Sequence, residues 1–245
     1  MIGETLVMVP PMLCDARVFG PQIADLSTEM PVMFAPTTQG ERIEEIANQI
    51  MGWAPKRFAL CGMGMGGAVA LEIVRRVPER VTRLALISTS FTGETPEGAS
   101  RREPLIIAAR TRRFDEVIEA ELKPDWLSPG PARAGVLTLV RHMAHANGVE
   151  AYVRQARAMQ RRREQQAVLA RINQPTLVMC GQDDIHLPVK RHQFLAEFIP
   201  SAGLEIIAGA GHLPTLEQPD EVTDHLRDWL RAPFVLRPAA VNRQI

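Results

Sequence analysis

Two segments of this chain hold residues suited to proton transfer. One is Gly211-His212-Leu213-Pro214-Thr215-Leu216-Glu217-Gln218-Pro219, and the other is Gly181-Gln182-Asp183-Asp184-Ile185-His186-Leu187-Pro188. A carboxylate that fixes the tautomer of an imidazole makes an oriented general base, able to take a proton from water or from a substrate. A third segment, Cys61-Gly62-Met63-Gly64-Met65-Gly66-Gly67, is rich in glycine and runs into an apolar stretch at 68–73. A turn of this kind has two chemical uses. It can cradle a phosphate on backbone N–H groups at a helix N-terminus, and residues 62–67 fit the dinucleotide pattern G-x-G-x-x-G literally. It can also present one apex residue on a sharp strand-to-helix bend, where a nucleophile is held up to substrate. The apex here is Gly64, which has no nucleophile to present.

Positioning these residues is the task of the surrounding elements. Compact apolar runs at 5–9, 32–35, 57–61, 84–88, 176–180 and 204–208 are bounded by glycine, proline or polar residues, as in strands buried on both faces. Amphipathic stretches lie between them. Ile43, Ile46, Ile50 and Trp53 share one helical stripe, and Val222, Leu226, Trp229 and Leu230 share another. The alternation predicts an α/β fold: a mostly parallel sheet with helices on both faces. The glycine turn follows the third strand, and the next strand ends in Ser88-Thr89-Ser90 without the acidic residue that a dinucleotide site wants. That context favours the apex-residue use over phosphate binding.

The three segments resemble the signatures of the α/β-hydrolase superfamily, in particular its esterase- and lactonase-like members. Residues 62–67 resemble the G-x-S-x-G-G elbow, with Gly62, Gly66 and Gly67 in register and Gly64 where the serine belongs. Residues 181–188 resemble the G-x-x-D-x-x-x-P acid loop, which makes Asp184 the acid and Asp183 a loop residue. Residues 211–219 resemble the G-H-x-x-x-x-E-x-P histidine loop, which makes His212 the base. The order elbow, acid, histidine matches the fold. The stretch Val9-Pro10-Pro11-Met12-Leu13-Cys14-Asp15 is similar to the family's H-G-x or P-G-x loop. By that resemblance the oxyanion donors are the backbone N–H groups of Met12 and Met65. Pro11 stands where glycine is usual. Cys14 is a nucleophile by type, but nothing in the sequence sets His212 against it. The remaining histidines, at 142, 145, 186, 192 and 225, match no motif and are expected to be solvent-facing or structural.

From about Phe91 to Arg171 the strand alternation stops and helical patterns take over, at 105–113, 117–122 and 149–163. The expected division is a hydrolase core at 1–90 and 172–232, a helical cap at 91–171, and a tail at 233–245. Between Ser100 and Arg171 there are fourteen Lys/Arg against eight Asp/Glu. A solvated basic face explains this surplus, and attraction of anionic substrates is the sharper alternative. Over the whole chain Lys+Arg and Asp+Glu are 28 each, so no net field recruits nucleic acid or an anionic membrane. No apolar run is long enough to span a bilayer. Three cysteines without metal-ligand spacing, and no basic leader before the first strand, suggest a reduced, cytoplasmic protein. No metal cluster is evident, and the chemistry implied by the resemblance needs no cofactor. The expected partner is a small-molecule substrate or ligand, and the oligomeric state is left open.

Three functions follow from a missing serine. The chain is a hydrolase for a small or medium carboxylic ester, thioester or lactone that has lost the acyl-enzyme route. Or it is a serine-less enzyme in which His212 and Asp184 act as general base, by direct water attack or in a lyase, cyclase or isomerase reaction. Or it is a non-catalytic binder of small molecules. Glycine at the apex also relaxes a backbone conformation that strains other residues by about 1–3 kcal/mol.

Overall fold

The computed structural model describes residues 4–200 and 202–232. The expected tail at 233–245 lies outside the described residues. Six strands form one sheet: β1 (Thr5–Val9), β2 (Val32–Phe34), β3 (Phe58–Met63), β4 (Val81–Ile87), β5 (Thr176–Gly181) and β6 (Ala202–Ile207). Their order is β2-β1-β3-β4-β5-β6, and every neighbouring pair is parallel. Each strand position expected from the sequence is occupied by a strand. β4 begins earlier than its apolar run suggests, because buried Arg83 is satisfied inside the fold. Its Nε donates to Glu4 at 3.0 Å and a terminal nitrogen to the Trp229 carbonyl at 3.1 Å.

The continuous apolar character of the strands serves two cores at once. Leu6 and Met8 of β1 face one cluster while Val7 and Val9 face the other, and β3 and β4 alternate in the same way. The first core is closed by α1 (Gly20–Leu26) and α11 (Pro219–Arg231), whose Val222, Leu226, Trp229 and Leu230 are buried as one stripe. The second is closed by α2 (Ile43–Trp53), α3 (Met65–Arg76) and α9 (Val189–Phe198). Burying each large side chain of such a stripe contributes roughly 1.5–3 kcal/mol.

Between β4 and β5 lie α4 (Pro96–Arg110), α5 (Phe114–Glu121), α6 (Ala132–Asn147), α7 (Val149–Gln160) and the single turn α8 (Gln166–Leu169). There is no strand among these residues. α4 starts nine residues before the expected 105, with Thr95 capping it by accepting from the Gly98 N–H, and it carries Pro104 inside. α6 has no counterpart among the expected helices. Its Val136, Val140 and Met143, spaced i, i+4, i+7, are buried and give the signal that identifies it. No described helix is long and apolar enough to cross a membrane.

The strand order fixes where a ligand can enter. β1 lies between β2 and β3, so the chain leaves β1 toward one edge and returns through β3 toward the other. The loops after these two strands part at their carboxyl ends, which opens a crevice. Residues 10–15 and Gly64 border it.

Candidate active site

The glycine turn is built by close approach. A Cβ on Gly66 would lie 2.1 Å from the Val9 carbonyl oxygen, and one on Gly62 would lie 2.4 Å from the Gly66 oxygen, so no side chain fits at either position. Gly64 caps α3 with φ 54° and ψ −119°, a conformation that strains any residue with a side chain. Its N–H donates to the Ile87 carbonyl at 3.0 Å, and Thr89 Oγ1 donates to its carbonyl at 2.6 Å. The end of β4 and the residues just after it thus hold the apex on both sides.

Acid and base arrive on the next two strands. Asp184, in the loop after β5, is buried, and its Oδ1 accepts from the backbone N–H groups of His186 and Leu187, each at 2.9 Å. Its Oδ2 lies 2.8 Å from Nδ1 of His212, in the loop after β6. A carboxylate held by two backbone donors keeps Nδ1 protonated and leaves Nε2 as the free base. The backbone of His212 is held in turn, its amide N–H donating to the Trp126 carbonyl at 2.7 Å. Glu217 closes the histidine loop, accepting from the N–H groups of Gly211 and Leu213, each at 2.9 Å, and of Ser128 at 2.7 Å. Burial pushes its carboxyl above the usual range, against the pull of those donors. Asp183 accepts from Ser128 Oγ at 2.6 Å and anchors the loop rather than facing His212.

Gly64 and His212 line one cavity of about 460 Å³, together with Pro11, Met12, His186 and Arg102. The Met12 and Met65 amides have no protein acceptor among the described residues. The loop carrying Met12 is held from the helical insertion. Leu13, with φ 65°, donates its N–H to Gln155 Oε1 at 3.0 Å, and Asn147 donates to the carbonyls of Leu13 and Cys14 at 3.3 and 3.1 Å. Cys14 is buried, and burial, reinforced by Asp15, raises its thiol pKa far above neutral, so it stays protonated. Cys61 and Cys180 are also free and buried.

Pro11 has a direct steric relation to the apex. A Cβ on Gly64 would lie 2.8 Å from Pro11 Cβ, inside contact distance of an atom in a rigid ring. The ring of Pro11 occupies the space that a side chain on residue 64 would need.

Sequence reasoning missed several residues around this cavity. Gln155, Asn147 and Ser128 act over long sequence separations, and no motif marks them. Trp126 stacks on His186 at 3.7 Å between ring centroids and presents an edge to His212 at 5.9 Å. His186, expected to be solvent-facing or structural, is exposed along one side yet stands 4.9 Å from the His212 ring. Crowding of its ring by protein and the neighbouring His212 lower its pKa to about 4, so it is neutral at pH 7. His142 and His145 are exposed on α6, and His192 is fully buried in α9. Among the described residues no group of histidine, cysteine and acidic side chains is arranged to hold a metal ion.

A parallel six-stranded sheet whose strand-end loops join a carboxylate–imidazole pair to a glycine elbow defines the α/β-hydrolase fold. The chain belongs to the alpha/beta hydrolase family, whose sequence profile matches residues 20–225. It is 30% identical over 181 residues to RutD of Pseudomonas savastanoi pv. phaseolicola, a candidate carbamate hydrolase, covering 72% of this chain and 69% of that one. It is 27% identical over 204 residues to the pimeloyl-[acyl-carrier protein] methyl ester esterase of Aromatoleum aromaticum, covering 79% and 82%. Among solved structures it is similar to a thermophilic esterase from Thermogutta terrifontis, with TM-score 0.84, 26% identity, and 94% and 90% of the two chains covered.

Proposed function

We propose that this chain hydrolyses a small or medium carboxylic ester, thioester or lactone without a side-chain nucleophile, using His212 and Asp184 as an oriented base. The single observation that carries this reading is the fit between Pro11 and Gly64. With Pro11 Cβ 2.8 Å from where a residue-64 Cβ would stand, the neighbouring proline ring is matched to glycine. A serine replaced in isolation would leave an open space there instead. The similarity to an esterase of 26% identity and to a methyl ester esterase of 27% identity supports the ester or lactone class.

The reaction then runs in one displacement. Nε2 of His212 takes a proton from water as its oxygen attacks the acyl carbon. The tetrahedral oxyanion is held by the N–H groups of Met12 and Met65. The intermediate collapses, the C–O or C–S bond to the leaving group breaks, and the leaving group takes the proton back from His212. Asp184 stabilises the imidazolium between the two transfers. Residues 91–171 serve as a cap whose Gln155 and Asn147 fix the oxyanion loop. The three buried free thiols fit a reducing compartment, and we place the reaction in the cytoplasm.

A panel of p-nitrophenyl esters, thioesters and simple lactones tests this. Wild-type protein turns over at least one member, and His212→Ala lowers its kcat by roughly 10²–10⁴-fold, the usual worth of a general base. Turnover that survives His212→Ala, or a wild-type chain inert on the whole panel, contradicts the reading.

A further inference from the structure

The cavity wall carries charge that the hydrolysis described above does not use. Four arginines line it (Arg101, Arg102, Arg162 and Arg191) against three glutamates (Glu94, Glu97 and Glu121). Arg102 engages two of those carboxylates, with Nε 3.1 Å from Glu94 and a terminal nitrogen 3.3 Å from Glu121, and it also reaches Met12 Sδ at 3.9 Å. Tyr152 donates to Glu121 at 2.8 Å. Arg162 is left with the far side of Glu94, at 3.8 Å, and its buried Nε has no hydrogen-bond partner among the described residues. Glu164 lies nearby without an ion pair to it. Arg102 and Arg162 are each only 18% exposed, so both guanidiniums are largely withdrawn from water. A withdrawn guanidinium beside a substrate cavity, whose terminal nitrogens hold only that 3.8 Å ion pair among the described residues, favours a planar anion able to accept two parallel hydrogen bonds.

The geometry points to Arg162 as the receptor for a free carboxylate on the substrate, with Arg102 holding Glu94 so that Arg162 stays underused until substrate arrives. The substrate class is therefore an ester, thioester or lactone that carries a second, ionised carboxyl group, such as a half-ester of a dicarboxylic acid. This rests on the hydrolase reading for the identity of the reacting bond. The carboxylate site itself rests only on the cavity and its arginines.

Two arms separate the two claims. In the first, glutarate and its neutral analogue glutaramide are titrated against the full chain carrying His212→Ala, with binding read by calorimetry. Glutarate binds and glutaramide binds at least tenfold more weakly. Arg162→Gln weakens glutarate by roughly 10–100-fold, the range for hydrogen bonds to a charged group, and Arg162→Lys recovers part of the loss. Glu94→Gln, which removes the carboxylate facing Arg162, tightens glutarate and keeps the test alive if Arg162→Gln fails to fold. In the second arm, the half-ester mono-p-nitrophenyl glutarate is compared with p-nitrophenyl valerate on the otherwise native chain. The kcat/KM ratio favours the half-ester, and Arg162→Gln collapses that ratio, chiefly through KM. Equal binding of glutarate and glutaramide, insensitivity to Arg162→Gln, or a preference for inorganic phosphate over glutarate overturns the carboxylate site. Carboxylate binding in the first arm with no turnover of either ester in the second keeps the site and overturns the hydrolase reading instead.

Discussion

Glycine at position 64 has two consequences at once: it offers no nucleophilic side chain, and it sits without strain in a backbone held at φ 54°. Introducing serine there therefore meets two costs. The positive φ costs about 1–3 kcal/mol for a residue with a side chain, and the new Cβ presses on Pro11. Gly64→Ser alone is expected to lower stability by roughly 2–4 kcal/mol, strain and overpacking together, read as a shift in urea midpoint. Pro11→Gly with Gly64→Ser is expected to regain much of that loss and to show an acyl-enzyme burst with an activated ester. Full stability in the single variant would mean that Pro11 yields freely and does not define the apex. Asp184→Asn leaves the packing intact but lets Nδ1 and Nε2 exchange roles, so kcat is expected to fall by about 10²–10⁴-fold. An unchanged kcat would separate Asp184 from the chemistry.

At the scale of elements, the loops after β5 and β6 act as one clamp. Glu217 receives three backbone donors and ties residue 128 of the insertion to the loop of His212. Glu217→Ala leaves three N–H groups without their acceptor and is expected to destabilise by roughly 2–4 kcal/mol. It should also lower kcat for any substrate by letting His212 drift, whereas a stability loss with kcat intact would confine Glu217 to folding. α9 gives a pH-dependent prediction. Burial of His192 lowers its pKa from 6.5 to about 4, so the unfolded chain binds more protons between those values. Its contribution is complete above pH 6.5 and is lost as pH falls toward 4, up to roughly 3 kcal/mol. Denaturant titrations of wild type and His192→Leu at pH 7.5 and 5 are expected to show the smaller pH dependence in the variant; parallel curves would contradict it. Much of this layer is legible in the sequence, since buried parallel strands read as apolar runs and the acid and histidine loops have fixed spacings. α6 carries the same kind of signal in Val136, Val140 and Met143, although the expected helices omit it. The supports from Gln155, Asn147 and Ser128 are not legible, because they reach loops across up to 142 residues of sequence with no periodicity to mark them.

Across the whole molecule, sheet order decides that the parts converge. The divergence of the chain on either side of β1 opens the crevice in which Gly64, Pro11 and His212 line one cavity. The insertion closes over it, and its basic surplus divides into two uses. Arg141, Arg157 and Arg161 form pairs with acidic residues near the surface, at 2.7, 2.7 and 3.1 Å, which contribute little to stability. Arg102 and Arg162 turn into the cavity instead. Net charge could not distinguish these uses, because the whole chain balances at 28 against 28. In the proposed hydrolysis, water is the only nucleophile in this crevice. Intact-mass spectrometry of the chain, quenched within the first turnovers of an activated ester, tests it most directly. Product is expected at a linear rate from the first turnover, on a chain of unchanged mass; a stoichiometric burst with an acyl adduct on the chain would show a protein nucleophile instead.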